Sequence, residues 1–81
     1  MTNEKITDSA RVLLCEANED AFVGFLKELK AAGIPQDRVY QCLLRLQRDT
    51  TDDLEYDRIH NWITYVTGDI APEYRIWEER M

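Results

Sequence analysis

The chain has few of the residues that interrupt or cross-link a polypeptide: its 81 residues include three glycines, two prolines and two cysteines. No repeat, low-complexity tract or long linker divides the sequence, so we expect a single domain over residues 1–81. A domain of this length buries only about 60–65% of the surface of its unfolded chain. Such a thin core leaves little volume for a deep substrate cavity, which favours recognition at the surface.

Residues at catalytic or metal-binding spacing are also scarce. His60 is the only histidine, and no CxxC pair, glycine-rich phosphate loop or GxSxG elbow occurs. Asp57 and His60 form half of the acid-x-x-His pair that di-iron bundles repeat on two helices, and no second histidine completes it. Cys15 and Cys42 lie in apolar helical patterns, where free, buried thiols are expected. We therefore expect no enzyme activity, no catalytic residue, no metal site and no cofactor.

Long apolar runs and an excess of positive charge are both missing. Without the apolar core of a signal peptide or a membrane span, the expectation is a cytoplasmic protein with no membrane partner. The formal net charge is −6 and the sequence pI is about 4.6. This balance argues against direct binding of nucleic acid, because lysine and arginine neutralise the phosphates in such complexes. The expected partner is instead a basic protein.

The sequence does contain apolar residues at helical spacing, and these predict an all-α bundle of four helices, either orthogonal or up-down. The first helix is expected over residues 6–16 and the second over residues 18–32, ahead of Gly33, although the two could run as one. The third is expected to begin at Pro35. Its predicted core stripe consists of Val39, Cys42, Leu43 and Leu46, with Tyr40 and Leu44 widening it and Gln41, Arg45 and Arg48 facing water.

The fourth helix is expected over residues 53–67, after a polar loop in which Thr51 or Asp52 caps it and before Gly68. A short fifth helix over residues 72–79 is the last expected element. On a wheel of about 100° per residue, the core-facing stripe of the fourth helix consists of Tyr56, Ile59, Trp62, Ile63 and Val66.

The negative charge is gathered in the last third of the chain. Residues 1–48 hold seven acids and seven bases, whereas residues 49–81 hold nine acids and three arginines. Asp53 and Asp57 fall on the exposed side of the fourth helix beside an aliphatic and an aromatic residue, a composition typical of an interaction surface. The predicted partner-binding residues are Asp49, Asp52, Asp53, Leu54, Asp57, Asn61 and Tyr65, with Tyr74 and Trp77 of the tail as secondary contacts.

These patterns favour an inhibitor or immunity-type protein that neutralises a basic partner, such as a nuclease toxin or another enzyme acting on nucleic acid. Carboxylates spaced along a helix imitate a line of phosphates and occupy the partner's basic groups. One alternative is a helical adaptor or a homo-oligomer of structural role, such as a homodimer, that buries Tyr65, Tyr74 and Trp77 between copies. A second is a metal- or ligand-binding protein using His60 and Asp57. In a third, the acids only stabilise a solvated helix N-terminus, and the tail aromatics pack on the core.

Overall fold

The computed structural model describes residues 2–16 and 18–78, and it is a bundle of four α-helices with no strand in those ranges. The all-α prediction is therefore confirmed. None of these helices has the length and apolar character needed to cross a membrane. The helices are α1 (Asn3–Glu16), α2 (Glu19–Ala31), α3 (Gln36–Asp49) and α4 (Asp53–Thr67), followed by a short 3-10 helix (Pro72–Tyr74).

Local capping groups define the helix ends. The Asn18 side chain accepts a hydrogen bond from the Ala21 amide at 3.1 Å, so α2 starts as a separate helix after α1. Gly33 (φ 80°) and Gly68 (φ 83°) follow α2 and α4 in the left-handed region that glycine tolerates. Pro35 caps α3 in an extended conformation rather than forming its first helical residue.

The first helix begins earlier than predicted, at Asn3. The Thr2 hydroxyl accepts a hydrogen bond from the Lys5 amide at 3.2 Å, and the Thr2 carbonyl accepts one from the Ile6 amide at 3.1 Å. These bonds satisfy two amide donors of the first turn of α1. Ile6, in that turn, is the first buried residue of the helix.

The core lies where α3 packs against α1 and α4, and α2 closes it from another side. The Phe22 ring of α2 stacks on the Trp62 indole of α4, with centroids 3.8 Å apart and planes inclined by 10°. Both side chains are fully buried. The predicted stripe of α3 is confirmed, since its four main members Val39, Cys42, Leu43 and Leu46 are all buried, and Gln41, Arg45 and Arg48 are exposed.

Two residues expected in the core lie outside it. Tyr56 is 49% exposed, because the buried stripe of α4 is centred on Ile59, Trp62 and Val66 and Tyr56 is rotated about 90° from that centre. Cys15 is also exposed, since it is about 100° around α1 from the buried Leu14. The cysteines are free thiols, as predicted, but only Cys42 is buried.

The tail folds back onto the bundle. The Lys30 ammonium donates to the Ile76 carbonyl at 2.9 Å, and the Arg75 Nε donates to the Gly68 carbonyl at 3.1 Å. Ile76 is buried and Trp77 packs partly buried against the core. In place of the predicted helix over residues 72–79, the structure has one 3-10 turn followed by extended and bent backbone as far as residue 78; residue 79 lies outside the described residues.

Replacing Phe22 by alanine should lower the free energy of unfolding by about 3–5 kcal/mol, because it removes a buried ring and leaves a cavity against Trp62. Urea unfolding followed by circular dichroism measures the loss. Val12→Ala is the control, since Val12 is 58% exposed and its truncation should change stability by less than about 0.5 kcal/mol. If Phe22→Ala does not fold, Phe22→Leu is measured instead and should show a smaller loss of stability. A central role for the stack would be contradicted if Phe22→Leu were as stable as Val12→Ala and the parent protein.

Candidate functional site: an acidic face on two helices

Four of the predicted contact residues form one ridge along α4. Asp53, Asp57, Asn61 and Tyr65 recur every four residues, so they lie on one side of the helix over about 18 Å. The first three are exposed and Tyr65 is half-buried, while Leu54 beside them is 76% exposed. The structure therefore places these five residues together on a solvent-facing surface.

Asp52 has a structural task at the start of this ridge. One of its carboxylate oxygens accepts hydrogen bonds from the amides of Leu54 at 2.8 Å and Glu55 at 3.1 Å. These are donors of the first turn that no helical carbonyl can reach. Asp52 is thus the N-cap of α4, one of the two residues predicted for that position, and it stays exposed at the end of the ridge.

Asp49 lies apart from the ridge, beside basic residues. It is the last residue of α3 and lines clefts next to α1 that also contain Arg11, Arg45 and Arg48. Within residues 2–16 and 18–78, Asp49 forms no salt bridge, and Arg11 pairs with Asp8 at 3.7 Å. Because arginines surround it, Asp49 contributes less negative potential to the ridge than Asp53 and Asp57 do.

Two acids that were not predicted as contacts extend the ridge onto α2. Glu19 and Asp20 occupy the first turn of α2, and the Glu19 carboxylate accepts a hydrogen bond from the Asn61 amide group at 3.5 Å. Acids in the first turn stabilise the N-terminus of a helix, and this alone accounts for an acidic pair after Asn18 in the sequence. The packing of α2 on α4 shows in addition that the pair faces a neighbouring helix. We call Asp53, Asp57, Asn61, Tyr65, Glu19 and Asp20 the acidic face.

The electrostatics of this surface are visible at Tyr65. Burial raises the pKa of its phenol, and the nearby negative charges of Glu19 and Asp20, together with Tyr74, raise that pKa further. A phenolate would add a negative charge among carboxylates, so the neutral form is favoured. The raised pKa of Tyr65 thus reflects first the burial of the phenol and then the negative charges beside it.

A cleft of about 410 Å³ opens between the start of α2, the end of α4 and the tail. Its walls include three acids, two bases and two aromatic rings: Glu19, Asp20, Glu73, Lys27, Arg75, Tyr65 and Tyr74. We call it the tail cleft. Tyr74 is 56% exposed, so of the two secondary contacts predicted in the tail, it is the one presented to solvent.

Trp77 has a different environment from Tyr74, because it packs partly buried against the core.

In the part of the chain that the structure describes, no three histidine, cysteine or acidic side chains converge as metal ligands. His60 is exposed on α4. Exposed carboxylates beside tyrosine rings are suited to holding lysine or arginine side chains through ion pairs and cation–π contacts.

Comparisons with protein-family models, curated proteins and solved structures find no significant match to this chain.

Replacing Asp52 by alanine should lower the free energy of unfolding by about 1 kcal/mol, because two first-turn amides of α4 lose their acceptor. Thermal unfolding with and without the substitution measures the change. Asp57→Ala is the matched control, since Asp57 is exposed and makes no capping bond, and its effect should stay within about 0.5 kcal/mol. Equal losses for the two variants would contradict the capping role.

Replacing Glu19 by glutamine should lower the pKa of Tyr65, because one of the negative charges that disfavour the phenolate is removed. Phenolate absorbance is followed during an alkaline titration, and Tyr65→Phe identifies the contribution of Tyr65 among the four tyrosines. Asp37→Asn on α3 is the control and should leave the Tyr65 titration unchanged. An unchanged titration in Glu19→Gln would show that α2 does not supply the potential.

Proposed function

We propose that this protein binds a basic protein through the acidic face and inhibits it by occupying basic groups that the partner uses for another anionic ligand. One observation carries the proposal: acids from two helices, distant in sequence, lie on one exposed surface. Asp53 and Asp57 of α4 form no salt bridge with any described residue, which leaves them able to pair with a partner.

The spacing of these charges suits a cationic surface. Asp53 and Asp57 are one helical turn apart, about 6 Å along the axis, and Glu19 and Asp20 continue the line at its far end. A row of carboxylates on a rigid helix resembles the charge pattern of a nucleic-acid backbone. A nuclease toxin or another enzyme acting on nucleic acid is accordingly the class of partner that we propose.

Binding would proceed by attraction at a distance followed by close packing. Concentrated negative potential raises the rate of encounter with a basic partner, and salt weakens this effect. At contact, Leu54 and Tyr65 supply apolar surface beside the carboxylates, and Asn61 offers hydrogen bonds. Aliphatic and aromatic anchors next to charge pairs are typical of the residues that dominate binding energy. Inhibition would result from occlusion and would require no chemistry by this chain.

Reversing two charges tests the proposal. Asp53→Lys with Asp57→Lys should weaken binding of the partner by about 100-fold, because attractive pairs become repulsive. Affinity capture from the source cells identifies the partner, and titration calorimetry then measures its affinity. The matched control is Glu4→Lys with Asp37→Lys, which changes the net charge equally at exposed positions on α1 and α3 and should keep binding within about threefold.

Two further measurements complete this test. Wild-type affinity should fall as the ionic strength rises from about 0.01 M to about 0.15 M, because the Debye length shortens. The protein should also inhibit the activity of the captured partner on nucleic acid. Equal binding by both double variants, or an affinity insensitive to salt, would refute the role of the acidic face.

A further inference from the structure

The tail, residues 69–78, is attached to the bundle in a different way from the four helices. Its 3-10 turn has only local hydrogen bonds: the Tyr74 amide donates to the Ala71 carbonyl at 2.9 Å, and the Arg75 amide donates to the Pro72 carbonyl at 3.3 Å. The side chains of residues 71–74 are all exposed. The residues after the turn therefore provide most of the attachment.

Those residues hold the tail through a small number of side-chain contacts. The Lys30 ammonium donates to the Ile76 carbonyl, and the Arg75 Nε donates to the Gly68 carbonyl. Ile76 alone among the described tail residues is buried, and Trp77 packs half-buried against the core. A segment with so few buried apolar contacts opens at a lower free energy than the helices of the core.

The end of α4 is fixed without the tail. The Gly68 amide donates to the Thr64 carbonyl at 3.0 Å, and Gly68 itself is buried in the left-handed conformation that terminates the helix. The Gln36 side chain at the start of α3 donates to the Val66 carbonyl at 2.6 Å. Detachment of the tail beyond Gly68 consequently leaves the last turn of α4 and its contact with α3 intact.

The tail forms one wall of the tail cleft, opposite α2 and beside Tyr65. Burial, Glu19 and then Tyr74 raise the pKa of Tyr65, so the ring of Tyr74 lies near that phenol. Lys27 and Glu73 line the same cleft from α2 and from the tail, and neither forms a salt bridge with another described residue. No ion pair therefore closes the tail onto α2 at this point.

We infer that the tail is a releasable strap: residues 69–78 detach from α2 and α4 together while the four helices stay folded, and the released state exposes more of Tyr65 on the acidic face. The strap is closed in this structure. Its release makes the acidic face a better binding surface, because Tyr74 and Glu73 leave one side of Tyr65. The effect on binding rests on the proposed function, whereas the release itself does not.

The regulation follows from the two states of the strap. A partner that contacts Tyr65 more completely when the strap is open binds the open state more tightly. Its apparent affinity is reduced by the fraction of molecules in the open state, so a substitution that favours opening increases the affinity. Lys30 is a positioning residue in this device, since it acts through the Ile76 carbonyl and not through the partner.

Thiol labelling of the full chain tests the release, because the chain has one exposed and one buried cysteine. In the variant Ile76→Cys, the thiol at position 76 reports the tail, Cys42 reports the core and Cys15 reports an accessible thiol. Mass spectrometry measures the three rates. The thiol at position 76 should react at least about 100-fold faster than Cys42 and at least about tenfold more slowly than Cys15. Low urea should change its rate little, since local opening exposes little surface.

Two lysine variants with the same charge change isolate the strap contact. Lys30→Met in the Ile76→Cys chain should raise the labelling rate at position 76 by about tenfold or more, because a hydrogen bond from a charged donor is lost. Lys27→Met, also exposed on α2, should leave that rate within about twofold. Acrylamide quenching of Trp77 in chains that keep Ile76 should increase in the same order, since Trp62 is fully buried.

The captured partner tests the regulation. Lys30→Met should bind it at least about threefold more tightly than Lys27→Met does, because the open fraction is larger and the net charge is the same. Equal affinity of the two variants would overturn the regulation. A thiol at position 76 that reacts only as fast as Cys42, with the same dependence on urea, would overturn the strap, and so would one that reacts as fast as Cys15.

Failure of the proposed function has a different result. If reversing Asp53 and Asp57 did not change binding of the captured partner, the role of the acidic face would be refuted. The labelling rates would still decide whether the strap opens, because they are measured without a partner.

Discussion

The stack of Phe22 on Trp62 links the core of this protein to its candidate site. It joins α2 to α4 with two of the largest side chains in the chain, both fully buried. Phe22 is in the same first turns of α2 as Glu19 and Asp20, and Trp62 lies between Asn61 and Tyr65 along α4. Burying the two rings against each other therefore brings the acids of α2 beside the polar ridge of α4. The packing of α2 on α4 thus forms part of the core and also assembles the acidic face.

The small size of the domain explains why the tail is part of the fold. A chain of 81 residues buries a limited share of its surface, so additional apolar contacts have a large effect on its marginal stability. Ile76 and Trp77 add such contacts, and Lys30 ties the tail to α2 through the Ile76 carbonyl. The same attachment places Tyr74 at the tail cleft. The tail thus contributes to stability and to the candidate site together.

Charge is segregated over the surface rather than uniformly negative. Arg11, Arg45 and Arg48 line the clefts between α1 and α3 with Asp49, whereas Asp53 and Asp57 lie on the exposed ridge of α4. Opposite charges in the first region offset one another, whereas the carboxylates of Asp53 and Asp57 form no salt bridge with any described residue. Under the proposed function, such an asymmetry would orient the molecule as a basic partner approaches.

The sequence by itself determined the helices and most of their ends, because caps and helical periodicity act within a few residues. Asn18, Asp52, Gly33 and Gly68 each satisfy or terminate a nearby turn, and the spacing of apolar residues in α3 identifies its buried side. The ridge of Asp53 and Asp57 follows from the same periodicity.

Only the tertiary structure decided which helices share a surface. Glu19 joins Asn61, which is 42 residues later, because α2 packs on α4. Asp49 shares a cleft with Arg11 because α3 packs on α1. Tyr56 and Cys15 lie at the edges of apolar stripes, where a neighbouring helix determines burial, and both are exposed. The physical reason is that capping and helical periodicity depend on residues a few positions apart in the sequence. The burial of a side chain and the electrostatic potential around it depend on all of its neighbours in space, which the chain brings together only when it folds.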